Sequence, residues 1–109
     1  MEKSSLTALA RELLGTAKTK SSGRSARTVY GGHECVLRQT VIALTAGSSL
    51  DEHDNSGEAT IQVLTGRIVL ITGDVRWEGS PGDHLVVPVA RHSVDALADS
   101  AFLLTVAKP

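Results

Sequence analysis

The side chains in this sequence best suited by type and spacing to a shared site are two imidazoles and an amide. His53 and Asn55 are separated by one residue in Asp51-Glu52-His53-Asp54-Asn55, and on an extended strand such a pair projects to one face. His92, from a distant part of the chain, can meet them if neighbouring strands close into a barrel. Two histidines and an amide fall short of a catalytic zinc site, which takes three protein ligands and a water. They also fall short of a non-haem iron site, which adds a carboxylate to two histidines. The acidic stretch Asp51-Glu52-His53-Asp54 either draws cations toward such a site or is a solvated loop, the commoner fate of clustered charge. His33 and Cys35 share one face of an extended segment, as metal donors would. With no matched second pair, they read rather as a surface histidine and a buried apolar thiol.

The elements that must position these groups fall into two kinds. From Ser4 to Lys18 the residues Leu6, Leu9, Ala10, Leu13, Leu14 and Ala17 recur at three- and four-residue steps and predict an amphipathic helix. Ser4 or Ser5 suits its start, and Gly15 or Lys18-Thr19-Lys20 its end. Thr19 to Ser25 has the composition of a linker. Beyond residue 28 come short β-branched runs at 36–45, 59–65, 67–72, 75–78, 84–89, 92–97 and 101–107, a succession that predicts a sandwich or barrel. In Ala59-Thr60-Ile61-Gln62-Val63 the apolar residues alternate onto one face. Leu64-Thr65-Gly66-Arg67 and Thr72-Gly73-Asp74 read as hairpin turns. A helix of this length needs a partner for its leucine stripe. It docks either on its own barrel or on that of a second copy.

Within the β region two segments resemble the signature motifs of the cupin superfamily, over about residues 29–107. The first is usually written G-x5-H-x-H-x3-E-x6-G. Gly47, His53 and Gly66 take its first glycine, first histidine and last glycine, whereas Asn55 replaces the second histidine and Ala59 the glutamate. The second is usually written G-x5-P-x-G-x2-H-x3-N. Gly82-Asp83-His84-Leu85-Val86-Val87-Pro88 reproduces its opening, Ala90 replaces a glycine, and His92 comes one residue early. The resemblance implies an all-β fold, a jelly-roll barrel (double-stranded β-helix) of the RmlC-like kind with a pocket in its mouth, preceded by the N-terminal α-helix. The chain then divides into helix and linker over 1–28 and barrel over 29–109. Cupins with a full ligand set hold iron, manganese, nickel or zinc. Here the implied ligands are His53, His92 and Asn55, with a water or Glu58 left to complete the shell. Glu58 precedes the expected carboxylate position by one residue, so it reaches the inner face only through a bulge.

Composition narrows the function classes. At 109 residues the chain has room for one core, and an aromatic share of 3% means that core is aliphatic. Cys35 is the single cysteine and cannot form an intrachain disulfide, which with the absence of a basic-then-apolar start predicts a cytoplasmic protein. No apolar run suits a membrane span. Residues 1–28 carry six basic and two acidic side chains, residues 29–109 five basic and ten acidic. An acidic folded domain argues against nucleic acid as a partner. Unpaired sheet edges favour a homodimer.

Three functions are compatible with these residues. The first is a cupin that holds a small polar ligand between His53, Asn55 and His92, with Ile61, Val63 and Trp77 as walls. The second is a metal-dependent cupin enzyme, of dioxygenase or isomerase type, with His53 and His92 as ligands. The third is a non-catalytic dimeric interaction module. The missing glutamate at Ala59 favours the first. Trp77 is either a pocket wall or core packing, Gln39 faces either the barrel interior or solvent, and His84 is expected to be exposed or paired across strands.

Overall fold

Ser5 opens the N-terminal helix: its hydroxyl accepts from the amide of Ala8 at 3.2 Å, satisfying one of the orphan donors of a helix start. In the computed structural model, which describes residues 2–53 and 57–107 and only the backbone of His53, this helix, α1, spans Leu6–Ala17. Among the described residues nine strands follow: β1 Arg24–Tyr30, β2 Leu37–Leu44, β3 Ser49–His53, β4 Glu58–Thr65, β5 Ile68–Thr72, β6 Val75–Gly79, β7 His84–Val87, β8 His92–Ala96 and β9 Ser100–Ala107. They form two antiparallel sheets, one ordered β1-β2-β9-β4-β7 and the other β3-β8-β5-β6, facing each other as in a jelly roll. The seven β-branched runs each become a strand.

Alternation explains the core. In β4 the residues Ala59, Ile61 and Val63 point between the sheets and join Ile42, Leu44, Ile68, Leu70, Val94 and Phe102 in one cluster. Phe102 is the single phenylalanine and is fully buried, so aliphatic side chains fill the rest. The outer face of the five-stranded sheet carries a second cluster. There α1 lays Ala10, Leu13 and Ala17 on Val41, Ala43, Ala101 and Leu103. Because both faces of that sheet are covered, Val41-Ile42-Ala43-Leu44 and Ala101-Phe102-Leu103-Leu104 are apolar at every position rather than every second one. The helix therefore docks on its own barrel.

Two strands lie where the composition suggests loop. β1 begins at Arg24, inside the linker-like stretch, and a boundary between residues 28 and 29 falls within it. Its outward side chains meet the helix by polar contacts as well as packing. The Ser25 hydroxyl donates to the Leu13 carbonyl at 2.5 Å, and Arg27 forms an ion pair with Glu12 at 2.8 Å. Beside Arg27, the Glu12 carboxyl is held below its usual range. β3 takes up Asp51 and Glu52 of the acidic stretch. Among the described residues no helix is long and apolar enough to cross a membrane.

Candidate ligand-binding site at the barrel mouth

The four-stranded sheet orders its inward residues in rows. Deepest is Ala96 beside Ile68 beside Gly79. Next comes Leu50 beside Val94 beside Leu70 beside Trp77. One step further out the backbone of His53 pairs opposite His92 in β3–β8, and Thr72 lies opposite Val75 in β5–β6. The β5–β8 register, which pairs Leu70 with Val94 and Ile71 with Ser93, runs on toward Thr72 and His92. In β8, His92, Val94 and Ala96 are buried in alternation, so the imidazole shares the face of Val94. It is 5% exposed.

A shift of register lies between Leu50 and His53. Counted without it, Leu50 opposite Val94 would leave Glu52 opposite His92. With the extra residue of a bulge, His53 takes that position. Glu52 is exposed and pairs with Arg91, tying the rims of β3 and β8 together. His92 Nδ1 lies 3.0 Å from the Ala90 carbonyl oxygen. A carbonyl only accepts, so Nδ1 carries a proton and donates to it. Asn55 lies outside the described residues.

Beside this row is a cavity of about 130 Å³ lined by Leu70, Thr72, Val75, Trp77 and Pro88. Leu70 continues into the core and forms its floor, the indole of Trp77, 47% exposed, forms one wall, and Pro88 after β7 closes the other side. Thr72 Oγ1 is buried and has no hydrogen-bond partner among the described residues. A hydroxyl left so costs roughly 1–3 kcal/mol, an outlay that a bound group with a donor or acceptor would recover. Ile61 and Val63 do not line this cavity. At 2% and 1% exposed they are packed in the core beneath it.

No protein-family model and no curated protein sequence matches the chain. Solved structures do. A conserved protein of unknown function from Streptococcus pyogenes superposes with a TM-score of 0.73 at 24% identity, over 83% of this chain and 78% of that one. A cupin superfamily protein from Desulfitobacterium hafniense gives 0.72 at 17% identity, over 79% and 78%. An RmlC-like cupin from Desulfovibrio desulfuricans gives 0.67 at 27% identity, over 77% and 81%. The chain has the cupin fold. Its two resembling motifs occupy the expected places: Gly47 precedes β3, Gly66 turns β4 into β5, and Gly82 and Pro88 flank β7.

The described residues do not fit the metal set of that cupin motif. Ala59, at the position of the glutamate, is a methyl group buried in the core. Glu58 lies on the opposite, exposed face of β4, and the β4–β9 register runs through residues 58–59 without a bulge. Among the described residues no three of His, Cys, Asp and Glu gather as ligands.

The other singled-out residues lie elsewhere. Gln39 is on the outer face of β2, where its Nε2 donates to Thr105 Oγ1 at 3.1 Å. His84 is exposed in β7, opposite Gln62. His33 is exposed in the β1–β2 connection, and Cys35 is half-buried rather than buried. Both line a wide, shallow hollow along Thr28–Cys35, remote from the mouth. There a hydrogen bond to the Cys35 thiol holds the Tyr30 hydroxyl above its usual pKa. Sequence reasoning missed Leu70, Thr72, Val75 and Pro88 as cavity walls. The signal available was the Thr72-Gly73-Asp74-Val75 hairpin, whose flanking residues must pair and so share a face.

Proposed function

We propose that this cupin binds a small organic ligand at the barrel mouth, with the ligand's apolar body against Trp77, Leu70 and Val75 and its polar end toward Thr72 and His92. The observation that carries this is a largely apolar cavity lined by Thr72, whose hydroxyl is buried without a hydrogen-bond partner among the described residues. Pockets for small molecules are commonly built this way, apolar with a few convergent polar groups. The buried His92 extends the polar side of the proposed site, and His53, whose backbone pairs opposite it, belongs to the same proposed group. Asn55 belongs to the same proposed group through its spacing from His53.

A thermal-shift screen of small metabolites followed by calorimetry tests the proposal. Ligands that bind the wild type are expected to lose tenfold or more in affinity in Trp77→Ala, about 1.4 kcal/mol. Undiminished binding in that variant overturns the site. We infer also that the chain forms a homodimer. β1 stands at the edge of its sheet, flanked by exposed Tyr30, Val36 and Leu37, and such edges invite pairing. A monomeric mass by light scattering at micromolar concentration would exclude it.

A further inference from the structure

From the cavity walls we infer the chemical class of the ligand: an uncharged, ring-sized molecule, largely apolar, carrying one hydroxyl or comparable hydrogen-bonding group. The inference rests on the mouth-binding proposal and narrows it. A cavity near 150 Å³ with apolar walls accepts a benzene-sized group, and this one measures about 130 Å³. Its described lining holds the apolar Leu70, Val75 and Pro88 and two side chains that carry a polar group, Thr72 and Trp77. The flat face of an indole suits a ring.

Charge is what the site cannot accommodate. A carboxylate or phosphate seated here would exchange its hydration shell for at most a hydroxyl and an indole N–H, and an ion buried without a counter-ion costs several kcal/mol. No cationic side chain lines the cavity among the described residues. At the β3–β8 rim, Arg91 is engaged by Glu52, and Asp51 adds a further exposed negative charge. Buried Nδ1 of His92 is committed to the Ala90 carbonyl.

Three probes share a saturated six-membered ring and differ in charge: cyclohexanol, cyclohexanecarboxylate and cyclohexyl phosphate. All are transparent where Trp77, the single tryptophan, absorbs and emits. Binding at neutral pH is followed by Trp77 emission and by the backbone amide and indole N–H resonances of residues 70–77 in full-length protein. Cyclohexanol is expected to move these signals saturably, with the carboxylate and the phosphate at least tenfold weaker. Thr72→Val should weaken cyclohexanol several-fold and leave the anions unaffected. If the carboxylate or phosphate binds as well as the alcohol at these resonances, the class is wrong while the site stands. If none of the three moves them, the ring-sized class and the mouth site fail together. Equal cyclohexanol affinity in the wild type and Thr72→Val removes the hydroxyl from recognition and overturns the inference.

Discussion

Replacing Thr72 by valine should make the ligand-free protein more stable, the reverse of what most substitutions at a half-buried position do. Valine keeps the branched shape favoured in strands and exchanges the hydroxyl for a methyl group, which needs no hydrogen bond. In the wild type Thr72 Oγ1 is buried without a partner among the described residues, and a stranded hydroxyl costs about 1–3 kcal/mol. The lower end suits Thr72, which as a whole residue is only half-buried. Globular proteins unfold with an entropy of about 2.1 cal/mol/K per residue. Over 109 residues that is about 0.23 kcal/mol/K, so 1 kcal/mol corresponds to about 4 °C in Tm.

Thr45 provides the control of opposite sign. Its hydroxyl lies 2.8 Å from that of Ser48 and 3.5 Å from the Gly23 carbonyl. Thr45→Val discards a made bond worth about 1 kcal/mol and strands its partner, so Tm should fall by about 4 °C or more. Both variants are read by calorimetry, with agreement between calorimetric and van't Hoff enthalpies confirming two-state unfolding. An unchanged or lower Tm for Thr72→Val would mean that the hydroxyl is already satisfied, and the free hydrogen-bonding capacity of the mouth would be lost from the reasoning.

Leu13→Ala, in the helix–sheet cluster, should cost about 2–5 kcal/mol and lower Tm by about 8 °C or more; a shift within 2 °C would detach α1 from the sheet. Gly66 and Gly47 share a positive φ, +82 and +85, but a Cβ on Gly66 would come within 2.2 Å of the Asp99 carbonyl oxygen while one on Gly47 meets open space. Gly47→Ala should therefore cost about 1–2 kcal/mol of strain, and Gly66→Ala should yield little folded protein in a soluble-expression assay; equal Tm values for the two would refute the clash. Asp99 has its pKa lowered, chiefly by the Ala46 amide, which donates to Oδ1 at 2.9 Å, and further by Lys18. A depressed acid contributes stability above its ordinary value of 3.8 that is lost as pH falls below it. Tm measured through that range should decline less steeply in Asp99→Asn than in the wild type, and parallel declines would contradict the assignment.

The parts of the fold legible in the sequence are those in which packing alone decides. The leucine spacing of α1 and the alternation in β4 report a single buried face each, and both elements lie where that pattern puts them. β1 was hidden because its outward side chains, Ser25 and Arg27, meet the helix through a hydrogen bond and an ion pair, so its composition is that of a linker. β3 was hidden because a bulge breaks the period of two between Leu50 and His53. The docking of α1 did leave a trace in the unbroken apolar runs of β2 and β9, the mark of strands covered on both sides. The site divides in the same way. His92 stands out by motif and Trp77 by type. Thr72 looks in sequence like any turn-flanking threonine. Only the pairing of β5 with β6 aligns it with Val75 on the face that carries Trp77.

The helix is a structural layer of the molecule, not a detachable leader. Pruning the chain to residues 29–109 would sever β1 at its C-terminal end and strip the lid from Val41, Ala43, Ala101 and Leu103, leaving a greasy flank in water. Such a fragment would be sticky for reasons unrelated to its ligand, and biochemical work on this protein has to keep the first two dozen residues attached.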